Sequence, residues 1–310
     1  MKGKKIANRF FFVCTLLCTL LFAACSSDGS EESTMGISDQ ELQAVAETPF
    51  SVVLKALNSE GVDVTTQGEV ENVALFVFDA QNDFVKQIQV GESALLQRQS
   101  IDIACPGTDR ITVIAWGGVS SESVEVSALS PANIISELQV ALKQNGGVAH
   151  VPGDLFYGQV TVNRSVTKAP QQELKLERKV SSVSLTTKGL VKYFGTTDGN
   201  YEYRVRSSKS AFNYKGELIG EQAEYIFPAS FDKNGKLVAD TQPVLPASKM
   251  VIELYKDGNL LYSAENDQNG EILAASAGKQ MNYVFNYNET VSVQLVVTAW
   301  NTVVKYVTVS

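Results

Sequence analysis

Val73-Ala74-Leu75-Phe76-Val77-Phe78 and Ile111-Thr112-Val113-Ile114-Ala115-Trp116 are the two stretches on which the fold turns. Each is a short run rich in β-branched and aromatic residues, bounded by turn formers, and such a run reads as a strand. Both alternate phases of each run are apolar, so both faces need cover, and these strands belong at the centre of a sandwich rather than at its edge. Outward from them the pattern repeats. Strand-like segments run from Phe50 to Leu57, through Leu174, Leu176, Val180, Val183 and Leu185, through Tyr201 to Val205 and Val251 to Tyr255, and through Gln280 to Asn286. A terminal pair, Val291 to Thr298 and Val303 to Val309, closes the series. Turn formers at Asp79 to Asp83, Asp232-Lys233-Asn234-Gly235, Asp257-Gly258-Asn259 and Asn266 to Gly270 read as hairpin connections. The expected fold class is all-β.

One helix is expected to interrupt the strands. Ser130 is a good N-cap, Pro131 fits the first helical position, and Ile134, Leu138, Ala141 and Leu142 recur at helical spacing before Asn145-Gly146. The polar, proline-bearing stretch from Asn163 to Gln172 marks a domain boundary, placed near Ala169. It separates an N-terminal domain at 49–169 from a C-terminal domain at 170–310. Ala115-Trp116 and Ala299-Trp300 each follow a β-branched run in their own half, a faint repeat.

The N-terminus is of another kind. Lys2, Lys4, Lys5 and Arg9 precede an apolar run from Phe10 to Phe22 that closes on Ala23-Ala24-Cys25. A basic start, a short apolar segment and a small-residue end describe a secretory signal peptide at 1–24, and the run is shorter than the ~20 apolar residues that span a bilayer. Cysteine directly after Ala-Ala resembles the lipobox of bacterial lipoproteins, which implies a lipid on Cys25 and cleavage before it. Residues 25–48 are polar and small, carry Asp28, Glu31, Glu32, Asp39, Glu41 and Glu47, and contain no basic residue. They read as an acidic, flexible tether.

The whole chain has 26 basic and 34 acidic residues, a net charge of −8. Loss of the signal peptide removes four basic residues and leaves 22 against 34, a net of −12. Such a charge repels phosphate backbones and anionic headgroups, so neither nucleic acid nor a basic membrane-binding face is expected. Lipid on Cys25 would supply the membrane attachment, because two acyl chains hold stably where one does not. Of the four cysteines, Cys14 and Cys18 leave with the signal, and Cys105 alone remains beside the lipid site. No internal disulfide is then available. Cys105, in Ile103-Ala104-Cys105-Pro106-Gly107, is expected to pack in the core.

Catalysis is not expected, and neither a cofactor nor a metal. His150 is the one histidine, so a metal site or a nucleophile pair built on histidine would rest on it alone. The chain has no G-x-S-x-G, no P-loop and no dinucleotide fingerprint. Asp267, Asn269, Gly270 and Glu271 lack the ligand spacing of a calcium loop and fit a hairpin turn. Tyr193, Tyr201, Tyr203, Tyr255 and Tyr262 are candidates for an aromatic platform of a glycan-binding surface.

Several pieces in order carry a resemblance: the lipobox, Val70 to Asp79, Ile111 to Gly117, Asp154-Leu155-Phe156-Tyr157-Gly158, Leu174 to Val180, and the closing Val296-Val297-Thr298-Ala299-Trp300. Their order resembles the FimB-type fimbrial anchor family. That resemblance implies two tandem transthyretin-like, Greek-key β-sandwich domains, surface exposure on the outer membrane, and a role in holding fimbrillin shaft subunits to the cell. It implies joining by strand addition, in which a donated strand supplies backbone hydrogen bonds and alternate side chains to an open sheet. The acidic cluster after Cys25 also resembles the surface-export signal of such lipoproteins.

Shaft fimbrillins share this fold and precursor, and the resemblance implies that they are cut by a trypsin-like protease, often after arginine, with loss of lipid and first strand. Here no arginine lies between Arg9 and Arg98, and the first basic residue after Cys25 is Lys55, inside the strand-like Phe50 to Leu57. A retained lipid suits an anchor. Shaft or tip adhesin and surface glycan-binding lipoprotein are the alternatives.

Overall fold

The computed structural model describes residues 48–163, 171–207, 209–288, 290–300 and 302. In chain order the first half contributes β1 (Phe50–Leu57), β2 (Asn72–Phe78), β3 (Phe84–Gly91), α1 (Glu92–Leu96), β4 (Ile101–Ile103), β5 (Arg110–Gly117), β6 (Val124–Val126), β7 (Gln139–Leu142), β8 (Gln144–Asn145), β9 (Val148–Ala149) and β10 (Phe156–Asn163). There follow β11 (Gln172–Arg178), β12 (Ser181–Lys188), α2 (Leu190–Phe194), β13 (Tyr201–Ser207), β14 (Ala211–Asn213), β15 (Leu218–Ile219), β16 (Ala223–Phe231), β17 (Leu237–Val244), β18 (Val251–Lys256), β19 (Asn259–Ala264), β20 (Lys279–Tyr287) and β21 (Val291–Ala299). The all-β reading is borne out.

The first sheet runs β3-β2-β5-β10-β11-β1-β4. β10 and β11 pair only at Phe156–Arg178 and Tyr157–Glu177, and there the sheet turns a corner. Gly158 makes the corner possible, because a Cβ on it would stand 2.1 Å from the Lys175 carbonyl oxygen. Beyond the corner, β11, β1 and β4 fold back over β10, β5 and β2. Val73, Leu75 and Val77 of β2 and Val113 and Ala115 of β5 thus share one core with Val52 and Leu54 of β1 and Leu174 and Leu176 of β11. Lys86 of β3 donates to the Ala104 carbonyl at 2.7 Å, and Leu95 of α1 is buried in the same core.

β2 and β5 are buried on both faces, as their composition requires. Their second face, Phe76, Phe78, Ile114 and Trp116, is covered by a small sheet ordered β15-β14-β7-β6. That small sheet joins strands from both halves of the chain: β7 pairs with β14 through Ala141–Ala211, Val140–Phe212 and Gln139–Asn213. The second large sheet runs β19-β18-β13-β16-β17-β12-β20-β21. It also curls, bringing the Tyr262 ring of β19 to 5.1 Å from Phe285 of β20. The buried Thr187 hydroxyl bonds both the Tyr203 and Tyr262 hydroxyls, at 2.6 and 2.7 Å, so these polar groups enter the core with partners.

The helix expected over 130–142 is not formed. A 3₁₀ turn occupies Ile135–Glu137, and β7 follows at once. Leu138, Val140 and Leu142 are buried on one side while Gln139 is exposed. Residues four apart satisfy a period of two as well as one of 3.6, and here the strand reading wins because Phe212 and Trp116 wait beneath that face. Among the described residues the α-helices lie instead at Glu92–Leu96 and Leu190–Phe194, each of five residues. The hairpin readings stand. Asp79, Asp232 and Asp267 each accept backbone N–H bonds from two and four residues ahead, at 2.8 to 3.0 Å. Asp257 and Gly258, with φ of 50° and 79°, make the two-residue turn between β18 and β19.

Candidate assembly site

The site is built around β1. Its sequence, Phe50-Ser-Val-Val-Leu-Lys-Ala-Leu57, alternates strictly, and Phe50, Val52, Leu54 and Ala56 are 0 to 3% exposed. Burial of four such side chains is worth about 1.5–3 kcal/mol for each of the larger ones, a sum comparable with the net stability of a domain. One edge of β1 pairs in parallel with β11, from Val52–Gln172 to Leu57–Glu177. The other edge pairs with the three residues of β4. Lys55 pairs with Lys175 of β11 in this ladder, and its Nζ is 3.5 Å from the Glu173 carboxylate on β11. A backbone so paired cannot enter a protease cleft without first leaving the sheet.

The far end of β1 is latched by the turn that follows it. The Ala56 N–H donates to the Thr65 hydroxyl at 2.8 Å, and that hydroxyl donates to Asp63 at 2.6 Å. Arg98, beyond α1, reaches the other oxygen of Asp63 at 2.6 Å. Burial works against the charge on Asp63, but the Thr65 side chain and backbone and the Arg98 guanidinium win, holding its carboxyl down to about 2.

Beside the latch is a groove of about 570 Å³ between the turn at Asn58–Gly61 and the turn at Ser276–Lys279. Arg178 forms part of its wall, with a side chain only 2% exposed. It is the last residue of β11 and shares the inward phase of Leu174 and Leu176. Its guanidinium is bidentate to Asp154, at 2.7 Å to each oxygen, and also donates to Glu69. Phe156 lies on one flank, 4.8 Å from the guanidinium carbon to the ring centroid, and Trp300 on the other at 4.3 Å. Burial opposes the charge, and the two carboxylates outweigh it, raising the guanidinium further above its ordinary value. Arg178 therefore joins the loop before β2, the loop before β10, the corner of the first sheet and the segment leaving β21.

The lipid-site cysteine, Cys25, lies outside the described residues, as do the boundary at Ala169 and the expected strand from Val303 to Val309. Cys105 is 5% exposed in the first core. His150 is exposed at the end of the β8–β9 hairpin. The tyrosine platform does not form: Tyr201, Tyr203 and Tyr262 are buried, because the inward phase of β13 and β19 carries them into the second core. Tyr255 sits under the Arg204 guanidinium at 4.2 Å, and Tyr193 is 57% exposed on α2. The Arg178 cluster was missed by sequence reasoning. A charged residue at the inward phase of an alternating strand was the one signal available.

The family model for fimbrillin-A associated anchor proteins Mfa1 and Mfa2 matches residues 43–306. The major fimbrium anchoring subunit FimB of Porphyromonas gingivalis is 22% identical over 270 residues, covering 83% of this chain and 88% of that one. Among solved structures, the fimbrial anchor protein Mfa2 of Porphyromonas gingivalis superposes with a TM-score of 0.59 at 14% identity, covering 81% of this chain and 98% of that one. A DUF1812 protein of Bacteroides thetaiotaomicron superposes with a TM-score of 0.64 at 20% identity, over 82% and 97%. Both structures share the fold.

Proposed function

This chain belongs to the family of fimbrillin-A associated anchor proteins, and from that premise we propose that it is an outer-membrane surface lipoprotein, tethered through lipid on Cys25, that holds a fimbria to the cell without catalysis. One observation carries the reading: β1 is an integral core strand with no arginine upstream of it in the mature chain and with its one lysine, Lys55, paired inside the sheet. A subunit that keeps β1 keeps the tether attached to it, and with the tether the lipid. On this reading the chain is a fixed end of the polymer. Its fimbrillin neighbour joins by strand addition, which uses backbone hydrogen bonds and so tolerates divergent side chains.

Residues 25–48 carry acidic residues and no basic one, a charge that anionic headgroups repel, so on this reading the lipid alone holds the membrane. A cut near Ala169 falls between β10 and β11 of the first sheet and is bridged by the pairing of β7 with β14. Cys25→Ala in the native bacterium tests the proposal. The variant is expected in the soluble fraction, with fimbriae shed into the medium while fimbrillin still polymerises. A variant that stays in the membrane fraction, with fimbriae firmly on the cell, would refute the lipid anchor.

A further inference from the structure

Away from the assembly site, α2 and the turn after β20 enclose a cleft of about 500 Å³ lined by Gly189, Lys192, Tyr193, Tyr287, Asn288 and Thr290. We infer that this cleft is a saccharide-binding site, taking one or two pyranose rings of a glycan, with Tyr193 as its stacking surface. The inference goes beyond anchorage and does not rest on it.

The ring of Tyr193 is both exposed and fixed. It stands nearly perpendicular to Phe194 and to Tyr287, at 81° and 79°, with centroids 5.0 and 5.1 Å away. Phe194 and Tyr287 are themselves stacked at 28°, and Tyr287 continues to Tyr262 in the core. Edge-to-face packing of this kind holds a ring without covering it, so little ordering entropy remains to be lost when a ligand arrives. An exposed tyrosine that is merely unpacked would lack these two contacts.

The floor and rim supply the rest. Gly189 has φ of +91°, and a Cβ on it would meet the Tyr287 carbonyl oxygen at 2.0 Å. Only glycine lets α2 begin this close to β20, and that closeness brings Tyr193 and Asn288 to one cleft. Lys192, Asn288 and Thr290 are exposed, and their side chains engage no partner among the described residues. They offer an ammonium, an amide and a hydroxyl, which together donate and accept. Pyranose rings present apolar C–H faces and a circle of hydroxyls, and an aromatic ring beside donors and acceptors without partners among the described residues complements both. The volume suits a small ligand with a few convergent polar groups.

The test uses the purified full chain in a detergent free of sugar headgroups, applied to a printed array of neutral and acidic oligosaccharides, with isothermal titration of the best ligand. Binding is expected, weakened about tenfold by Tyr193→Ala and less by Thr290→Val, with both variants still folded by circular dichroism at the titration temperature. Cells carrying Tyr193→Ala should keep their fimbriae, which separates this inference from the anchor reading. Absence of any saccharide binding, binding unaffected by Tyr193→Ala, or occupation of the cleft by peptides alone would overturn it.

Discussion

Each of the two large sheets is built around a parallel pair, β1 with β11 in the first and β12 with β20 in the second, yet the two pairs are secured differently. β12 and β20 are buried on both faces and flanked by long strands, β17 and β21. β1 buries one face only, and its outer neighbour β4 extends just from Ile101 to Ile103. The second pair is internal scaffold. The first contains β1, the first strand among the described residues, held by one row of side chains, one full ladder and the latch at Asp63. In this account the load of a fimbria passes to the membrane through the less redundant of the two pairs.

The sharpest way to break the comparison is to remove β1. Deletion of residues 25–57 is expected to abolish soluble folding, because the exposed core exceeds what the remaining contacts can offset. A synthetic peptide covering 48–58, added during refolding, should restore a cooperative melt. A deleted protein that folds alone would show that β1 is dispensable and that the contrast between the pairs is empty.

A second contrast sets Arg178 against Arg206. Both pair with two carboxylates, Arg178 with Asp154 and Glu69, Arg206 with Glu224 and Glu253. The Arg178 side chain is 2% exposed and that of Arg206 32%. Arg178→Met removes a buried guanidinium that bonds two part-exposed carboxylates, and loss of those charge-assisted hydrogen bonds should cost about 1.5–3 kcal/mol in urea unfolding. Arg206→Met removes a partly exposed guanidinium and leaves the buried Glu253 still accepting from the Tyr255 hydroxyl, and should cost about 0–1 kcal/mol. Equal costs would mean that the corner is wetter than its geometry indicates.

How far all this was legible in the sequence depends on range. β2 and β5 announced themselves through apolar residues in both phases, and the aspartate-led hairpins through chemistry that acts within four residues. The 130–142 segment misled because Leu138 and Leu142 fit either period, and only Phe212, distant in sequence, decides between them. Periodicity likewise shows β11 to be a strand without showing that it returns to the first sheet beside β1. Glu69, Asp154 and Arg178 meet across intervals that no local pattern spans. The tyrosines were visible as residues, but which phase of β13 and β19 faces inward follows from the curl of the second sheet.

The smallest effect concerns the latch. Asp63 is held at about 2 against an ordinary 3.8, so its contribution is present above the ordinary value and is lost as pH falls toward 2. Between pH 4 and 2 the native protein should lose urea stability more steeply than Asp63→Asn, whose latch no longer titrates. Parallel slopes would remove Asp63 from the account of how β1 is held.

The retention of β1 in the assembled state is the central claim, and mapping the N-terminus by mass spectrometry in protein taken from assembled fimbriae tests it most directly. The account predicts a chain that begins at acylated Cys25 and includes Phe50–Leu57. A chain that begins beyond Leu57 would contradict it.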